Sequence, residues 1–192
     1  MSTFGLSDEL MTAPVNGVYN EGLVRILRDF LLAKYKKDDN LCCEIQEGLF
    51  LGSIGAAYNK DELEKRRITH VLSVANMIEA MYPSDFKYKK VEVRDSADVD
   101  LEEHFDDCFA FINEARQSGG AVLVHCFAGR SRSVTVVVAY LMKTYGMNFS
   151  EALDLVRTKR PQAAPNPGFI LQLKNFERIL SGEVLCTRAC SP

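Results

Sequence analysis

The chain has 192 residues, 47% hydrophobic and 26% charged, with a formal net charge of −3. That is enough to bury one substantial core, and it lacks the basic surplus expected of a nucleic-acid binder or an anionic-membrane binder. Six irregularly spaced cysteines and three histidines argue against a disulfide scaffold and a structural zinc centre, so no metal and no cofactor is expected.

Residues 1–20 are polar and punctuated by Pro14 and Gly17, which predicts a loose tail without the basic and apolar blocks of a signal peptide. Residues 21–40 predict a helix and linker. On that helix Leu23, Ile26, Leu27, Phe30 and Leu31 share one face, and Arg25, Arg28 and Lys36 flank or oppose it. Five basic against two acidic residues give Glu21 to Lys37 a charge of +3. Two readings stay open: the face packs as a brace on the rest of the chain, or it is taken by calmodulin through anchors such as Leu23 and Phe30.

A compact unit is expected over 41–182. "GLFLGS" (48–53), "ITHVLSVA" (68–75) and "YKKVEVRD" (88–95) read as strands, with a helix in "NKDELEKRR" between the first two. Leu101, Phe105, Cys108, Phe109 and Ile112 recur at three and four residues and predict an amphipathic helix ending at "SGG". "AVLVHCF" (121–127) is apolar up to His125, as suits a central parallel strand covered on both faces. Helices are then predicted over Arg132 to Tyr145, Glu151 to Lys159 with Ser150 as N-cap, and Pro167 to Leu180. The β/α succession implies an α/β fold: a central, mostly parallel twisted sheet flanked by helices. Residues 183–192 read as a second tail. The longest apolar stretch, Val134 to Met142, is too short for a bilayer span, so the chain reads as cytoplasmic or nuclear with no membrane partner.

The chemistry concentrates where the apolar strand meets the helix at Arg132. In the order strand, tight loop, helix, Phe127, Ala128, Gly129, Arg130, Ser131 and Arg132 can turn backbone N–H groups around an oxyanion, and the helix adds the positive end of its dipole. Ala128 and Gly129 keep the loop slim, while the planar guanidinium of Arg132 can grip two phosphoryl oxygens. The same field favours the thiolate of Cys126, the form that attacks. Cys-x5-Arg spacing alone is weak; the preceding strand, His125, Gly129, Ser133 and the following helix together carry the reading. Neighbours on a strand face opposite ways, so His125 is expected to brace the loop from behind.

"HCFAGRSRS" resembles the signature loop of the dual-specificity protein phosphatases, a branch of the cysteine-dependent protein tyrosine phosphatases. The similarity runs through "AYLM" and "RPQAAPNPGFILQL" and back through "GLFLGS" and "ITHVLSVA", covering roughly Cys42 to Leu180 and most like the small plant-type members. The resemblance implies hydrolysis of phosphotyrosine and phosphoserine or phosphothreonine on proteins, with MAP kinases a common substrate class, through a cysteinyl phosphate. It casts Cys126 as nucleophile, Arg132 as phosphate clamp and Ser133 as the hydroxyl that stabilises the departing thiolate. Asn166 becomes a contact of the loop region. The general acid is an Asp on a loop after an upstream strand; in "VEVRDSADVDLEEHF" Asp95 matches best, with Asp98 and Asp100 as neighbours.

Rival readings differ in residue content. Larger tyrosine-only phosphatases of the superfamily carry a Trp-Pro-Asp loop, and this chain has no tryptophan. Inositide phosphatases place lysines inside the loop, where this chain has Phe127, Ala128 and Ser131, with Arg130 the one added charge. A phosphoprotein-binding module without catalysis would keep the cradle and lose the nucleophile. Elsewhere, His70 and His104 read as structural, Lys65, Arg66 and Arg67 as a helix end or a dock for an acidic kinase surface, and neither Cys43 nor Cys108 is assigned as a redox partner of Cys126.

Overall fold

The computed structural model describes residues 21–182, and both expected tails lie outside the described residues. One five-stranded sheet has the order β1-β2-β5-β3-β4, with β1 Cys43–Gln46, β2 Leu49–Gly52, β3 Ile68–Val74, β4 Lys87–Val91 and β5 Ala121–His125. β2, β5, β3 and β4 are parallel; β1 alone turns back antiparallel on β2. The mostly parallel sheet is the one expected, and β1 is an addition to it.

Alternation along the strands sorts the core into two layers. Leu49, Leu51, Leu72, Val74, Val122 and Val124 point to the larger one, under α4 (Phe105–Gln117), α5 (Arg132–Tyr145), α6 (Phe149–Lys159) and α7 (Pro167–Leu180). Phe50, Val71 and Leu123 point the other way, against α2 (Ile54–Ala57) and α3 (Lys60–Lys65). Every residue of β5 is buried, which is why that stretch is apolar without alternation. α5 is buried from Arg132 to Met142. Its β-branched run, Val134 to Val138, is a modest helix former, so burial between sheet and outer helices holds it helical.

Two helix starts correct or refine the expectation. α6 begins at Phe149, earlier than expected, because Asn148 and not Ser150 is the cap: its side chain accepts from Glu151 N, and Glu151 returns a bond to Asn148 N. α7 is capped by Asn166, with Pro167 at its first position.

α1 (Glu21–Asp38) joins the rest through its last turns. Leu31, Leu32 and Tyr35 pack against the small cluster of Ile54, Ala75, Ile78, Cys126 and Phe127, with the Tyr35 ring edge-on to Phe127. Gly55 permits the approach, since a Cβ there would collide with the carbonyl oxygens of Tyr35 and Asp39. Ser53 Oγ donates to Asp39 O at 2.7 Å and Asn59 Nδ2 to Asn40 O at 3.0 Å. The apolar face read from the sequence is therefore divided: Leu31 is half-buried, whereas Ile26 and Phe30 are each 67% exposed. The Leu23 and Leu27 side chains lie outside the described residues.

Candidate active site

In a parallel α/β sheet ligands bind beyond the carboxyl ends of the strands. β5, in the centre of the sheet, delivers Cys126 there, and the chain turns through six residues into the N-terminus of α5. The Phe127 side chain is buried and anchors this turn on the α1 side. Ala128 and Arg130 are only half-buried and form its open rim.

Cys126 Sγ accepts two hydrogen bonds, from Gly129 N and from Ser133 Oγ, both at 3.2 Å. One donor belongs to the loop and the other to the first turn of α5. Gly129 sits at φ 63°, and a Cβ on it would meet Gly52 O and, at 2.6 Å, Arg160 Nη2. No other residue fits this curve of the loop without displacing backbone.

Arg132 is buried, with Nη1 donating to Val93 O at 3.2 Å and Nε 3.6 Å from Asp95 Oδ2. Asp95 Oδ1 accepts from Ser131 Oγ at 2.6 Å and from Asn166 Nδ2 at 2.9 Å. Asn166 in turn donates its backbone N–H to Ser131 Oγ at 3.1 Å and accepts from Phe169 N at 3.0 Å. One side chain thus caps α7 and orients the carboxylate, tying two segments distant in sequence to the loop. The neighbouring carboxylates are occupied elsewhere. Asp98 accepts from Ser96 Oγ and pairs with Arg94, and Asp100 caps Glu103 N at 3.3 Å.

His125 is buried beneath the loop, Nδ1 lying 3.2 Å from Cys126 O. Burial, reinforced by the Arg132 charge, pushes its pKa down to about 4. The ring is neutral at physiological pH. Cys108 belongs to the larger core, away from the Cys126 cluster, and burial pushes its thiol up to about 12. His70 packs edge-on to Phe111 near the start of β3, and Arg66 is bound to Glu62 at 2.9 Å at the end of α3. Among the described residues no group of acidic, histidine or cysteine side chains is arranged to hold a metal ion.

Sequence reasoning missed Arg160. It is 1% exposed, donates to Gly129 O at 2.6 Å and to Ala128 O at 3.0 Å, and is paired with Asp39 at 2.6 and 3.1 Å. A pocket of about 430 Å³ opens beside this cluster, lined by Lys34, Tyr35, Asp38, Asp39, Ala128, Arg130 and Gln162. α1 therefore forms one wall of the approach to the loop.

A buried sulfur with two donors, a tight loop leading into a helix N-terminus, a buried guanidinium and an oriented carboxylate can together bind and cleave a phosphate monoester. Comparison with known proteins agrees. Residues 49–179 match the family model described as dual specificity phosphatase, catalytic domain. Dual specificity protein phosphatase 1B of Arabidopsis thaliana is 59% identical over 72% of this chain and 83% of its own length. MAP kinase phosphatase with leucine-rich repeats protein 3 of Dictyostelium discoideum is 45% identical over 75% of this chain, a span that is 16% of that longer protein. The crystal structure of human DUSP28 superposes with a TM-score of 0.70 at 34% identity, covering 73% of this chain and 95% of that one.

Proposed function

Starting from the fact that this chain belongs to the dual specificity phosphatase family, we propose that its reaction runs through a phosphocysteine on Cys126 with Asp95 as the proton carrier. The protein is a tyrosine/serine/threonine phosphatase acting on phosphoproteins; the assignment of steps to residues is our reading of the geometry. Backbone N–H groups from Phe127 to Arg132 and the Arg132 guanidinium hold the three non-bridging phosphoryl oxygens. The Cys126 thiolate attacks phosphorus while the bond to the substrate oxygen breaks, and the Asp95 carboxyl gives that oxygen its proton. The resulting Asp95 carboxylate then takes a proton from water as the water oxygen attacks the phosphocysteine. The S–P bond breaks, inorganic phosphate leaves, and Ser133 Oγ donates to the regenerated thiolate. The observation that carries this reading is the double hydrogen bond to Cys126 Sγ from the loop and the helix that follows it, the same loop also holding Asp95 through Ser131.

The finer substrate reading is a MAP kinase activation segment, which presents phosphothreonine and phosphotyrosine together. The half-buried rim at Ala128 and Arg130 supports it, since an open mouth admits side chains of both lengths. The name of the Dictyostelium relative points to the same substrate class. Inositides are a poorer fit, because Arg130 is the one charge the loop adds. Incubation with a doubly phosphorylated activation-segment peptide and with a soluble inositol phosphate tests this. Release from both peptide positions is expected; preference for the inositol phosphate would overturn the reading.

We also propose calmodulin as a partner of 21–37. The specific support is the exposure of Ile26 and Phe30 on a basic helix whose other end is docked. Titration of the full chain with calmodulin should show binding at micromolar concentration in calcium and none in chelator; no binding in calcium would leave α1 its packing role alone.

A further inference from the structure

An anion cradle built from backbone has a structural cost on its reverse side. A trans peptide unit carries N–H and C=O on opposite edges, so each amide turned inward leaves a carbonyl turned outward. Buried carbonyls need donors. Cys126 O lies 3.2 Å from His125 Nδ1, and the five carbonyls from Phe127 to Ser131 each have a donor. Phe127 O accepts from Ile54 N at 3.0 Å, Arg130 O from Ala164 N at 2.8 Å, and Ser131 O from Thr135 N at 2.8 Å, all backbone groups. The two in the middle, Ala128 O and Gly129 O, both rest on Arg160, through Nη2 at 3.0 Å and Nε at 2.6 Å. Asp39, the residue after α1, holds the far edge of the same guanidinium through both carboxylate oxygens.

We propose that Arg160, backed by Asp39, is a positioning residue that sets the inward aim of the loop amides and makes that aim depend on the docking of α1. Its bond to Ala128 O fixes the peptide plane whose other edge is Gly129 N–H, the donor to Cys126 Sγ. Its bond to Gly129 O fixes the plane whose other edge is Arg130 N–H. A side chain that never touches substrate therefore acts on both the thiolate and the bound phosphate. Asp39 is tied to the last turn of α1 by its N–H on Tyr35 O at 3.0 Å, and the two together are docked by Ser53 Oγ on Asp39 O and by the close passage at Gly55, so moving the helix withdraws the carboxylate that holds Arg160 in place. The part concerning Cys126 rests on the proposed nucleophile, whereas the part concerning oxyanion binding does not.

The variants are Arg160→Met, Arg160→Lys and Asp39→Asn, compared with wild type at a temperature where circular dichroism shows each folded. Tungstate affinity is measured by calorimetry in a Cys126→Ser background, so that it reads the cradle without turnover. Alkylation of Cys126 by iodoacetamide at pH 6 is measured in the otherwise wild-type chain. Arg160→Met is expected to weaken tungstate by about tenfold or more, the loss of charge-assisted bonds to two carbonyls, and to slow alkylation. Arg160→Lys, a point charge able to serve one carbonyl, should recover part of both, and Asp39→Asn should move both in the same direction by less. A folded Arg160→Met with wild-type tungstate affinity and alkylation overturns the proposal, as does wild-type behaviour of Asp39→Asn for the link to α1. If Arg160→Met does not fold, Arg160→Lys and Asp39→Asn decide by the same criteria. Turnover by Cys126→Ser would remove the proposed nucleophile and leave the tungstate comparison intact.

Discussion

Replacing Asp95 by Asn isolates proton donation from everything else the carboxylate does. The amide keeps an oxygen in the place where Ser131 Oγ, at 2.6 Å, and Asn166 Nδ2, at 2.9 Å, donate. The amide nitrogen then faces Arg132 Nε, 3.6 Å from the present oxygen, a mild repulsion in place of a mild attraction. Folding stability should change by only about 1 kcal/mol, the range of one modest polar contact. Turnover should fall far more, because the leaving oxygen departs without its proton: about 10²- to 10⁴-fold on phosphotyrosine, or roughly 3–5 kcal/mol of barrier. The assay is a series of aryl phosphates with leaving groups from tyrosine-like to strongly acidic. The loss should shrink as the leaving group becomes acidic enough to depart unaided, and the basic limb of the rate–pH profile should flatten. An equal loss across the series, or a larger one at Asp98 or Asp100, would refute the assignment.

Ser133→Ala removes one of the two donors to Cys126 Sγ and should slow phosphocysteine hydrolysis by about 10- to 100-fold, seen as a nitrophenol burst followed by a slow steady state; a uniform rate without a burst would contradict the role. His125 gives a pH dependence of stability. Its folded-state pKa of about 4 lies below the unfolded value of about 6.5, so stability is full above about 6.5 and falls by about 3 kcal/mol as the pH drops to about 4. Urea denaturation of wild type and His125→Gln between pH 7 and 4.5 should show a shallower decline in the variant, and equal declines would count against a buried neutral ring. Gly129→Ala combines a left-handed backbone cost of about 1–2 kcal/mol with the collision at Arg160, and should abolish tungstate binding in protein that still folds; wild-type affinity would mean the loop has room the structure does not show.

What was legible in the sequence is what local physics decides. β5 and α5 announce themselves because a strand buried on both faces must be apolar throughout and the helix after it must begin at the loop's last residue. α7 is bounded by Asn166-Pro167, a cap and a first-turn proline that need no tertiary contact. Asp95 was singled out among three aspartates by the family resemblance, not by local physics, and the structure adds the Ser131 and Asn166 hydrogen bonds that orient it. By contrast β1 is a four-residue strand, Cys43–Gln46, half polar because it lies at the sheet edge, so it has no period to read. The Asn148 cap was readable, since Glu151 three residues on completes a capping box, but Ser150 masked it. Arg160 left no local signal beyond its place before Pro161, which keeps it extended and ends α6. Its partner Asp39 is 121 positions away, and a pairing at that distance is decided by packing. The division of the α1 face has the same origin: periodicity shows that an apolar face exists, and only the docked partner shows that Leu31 is covered while Ile26 and Phe30 are not.

The central claim is covalent catalysis at Cys126, and rapid acid quench during turnover of a ³²P-labelled phosphotyrosine peptide, followed by peptide mapping, tests it most directly. Label should appear within the first turnover on the peptide containing Cys126, increase in Ser133→Ala, and be absent from Cys126→Ser, which should also be inactive. Turnover by Cys126→Ser, or label on any other residue, would contradict the account.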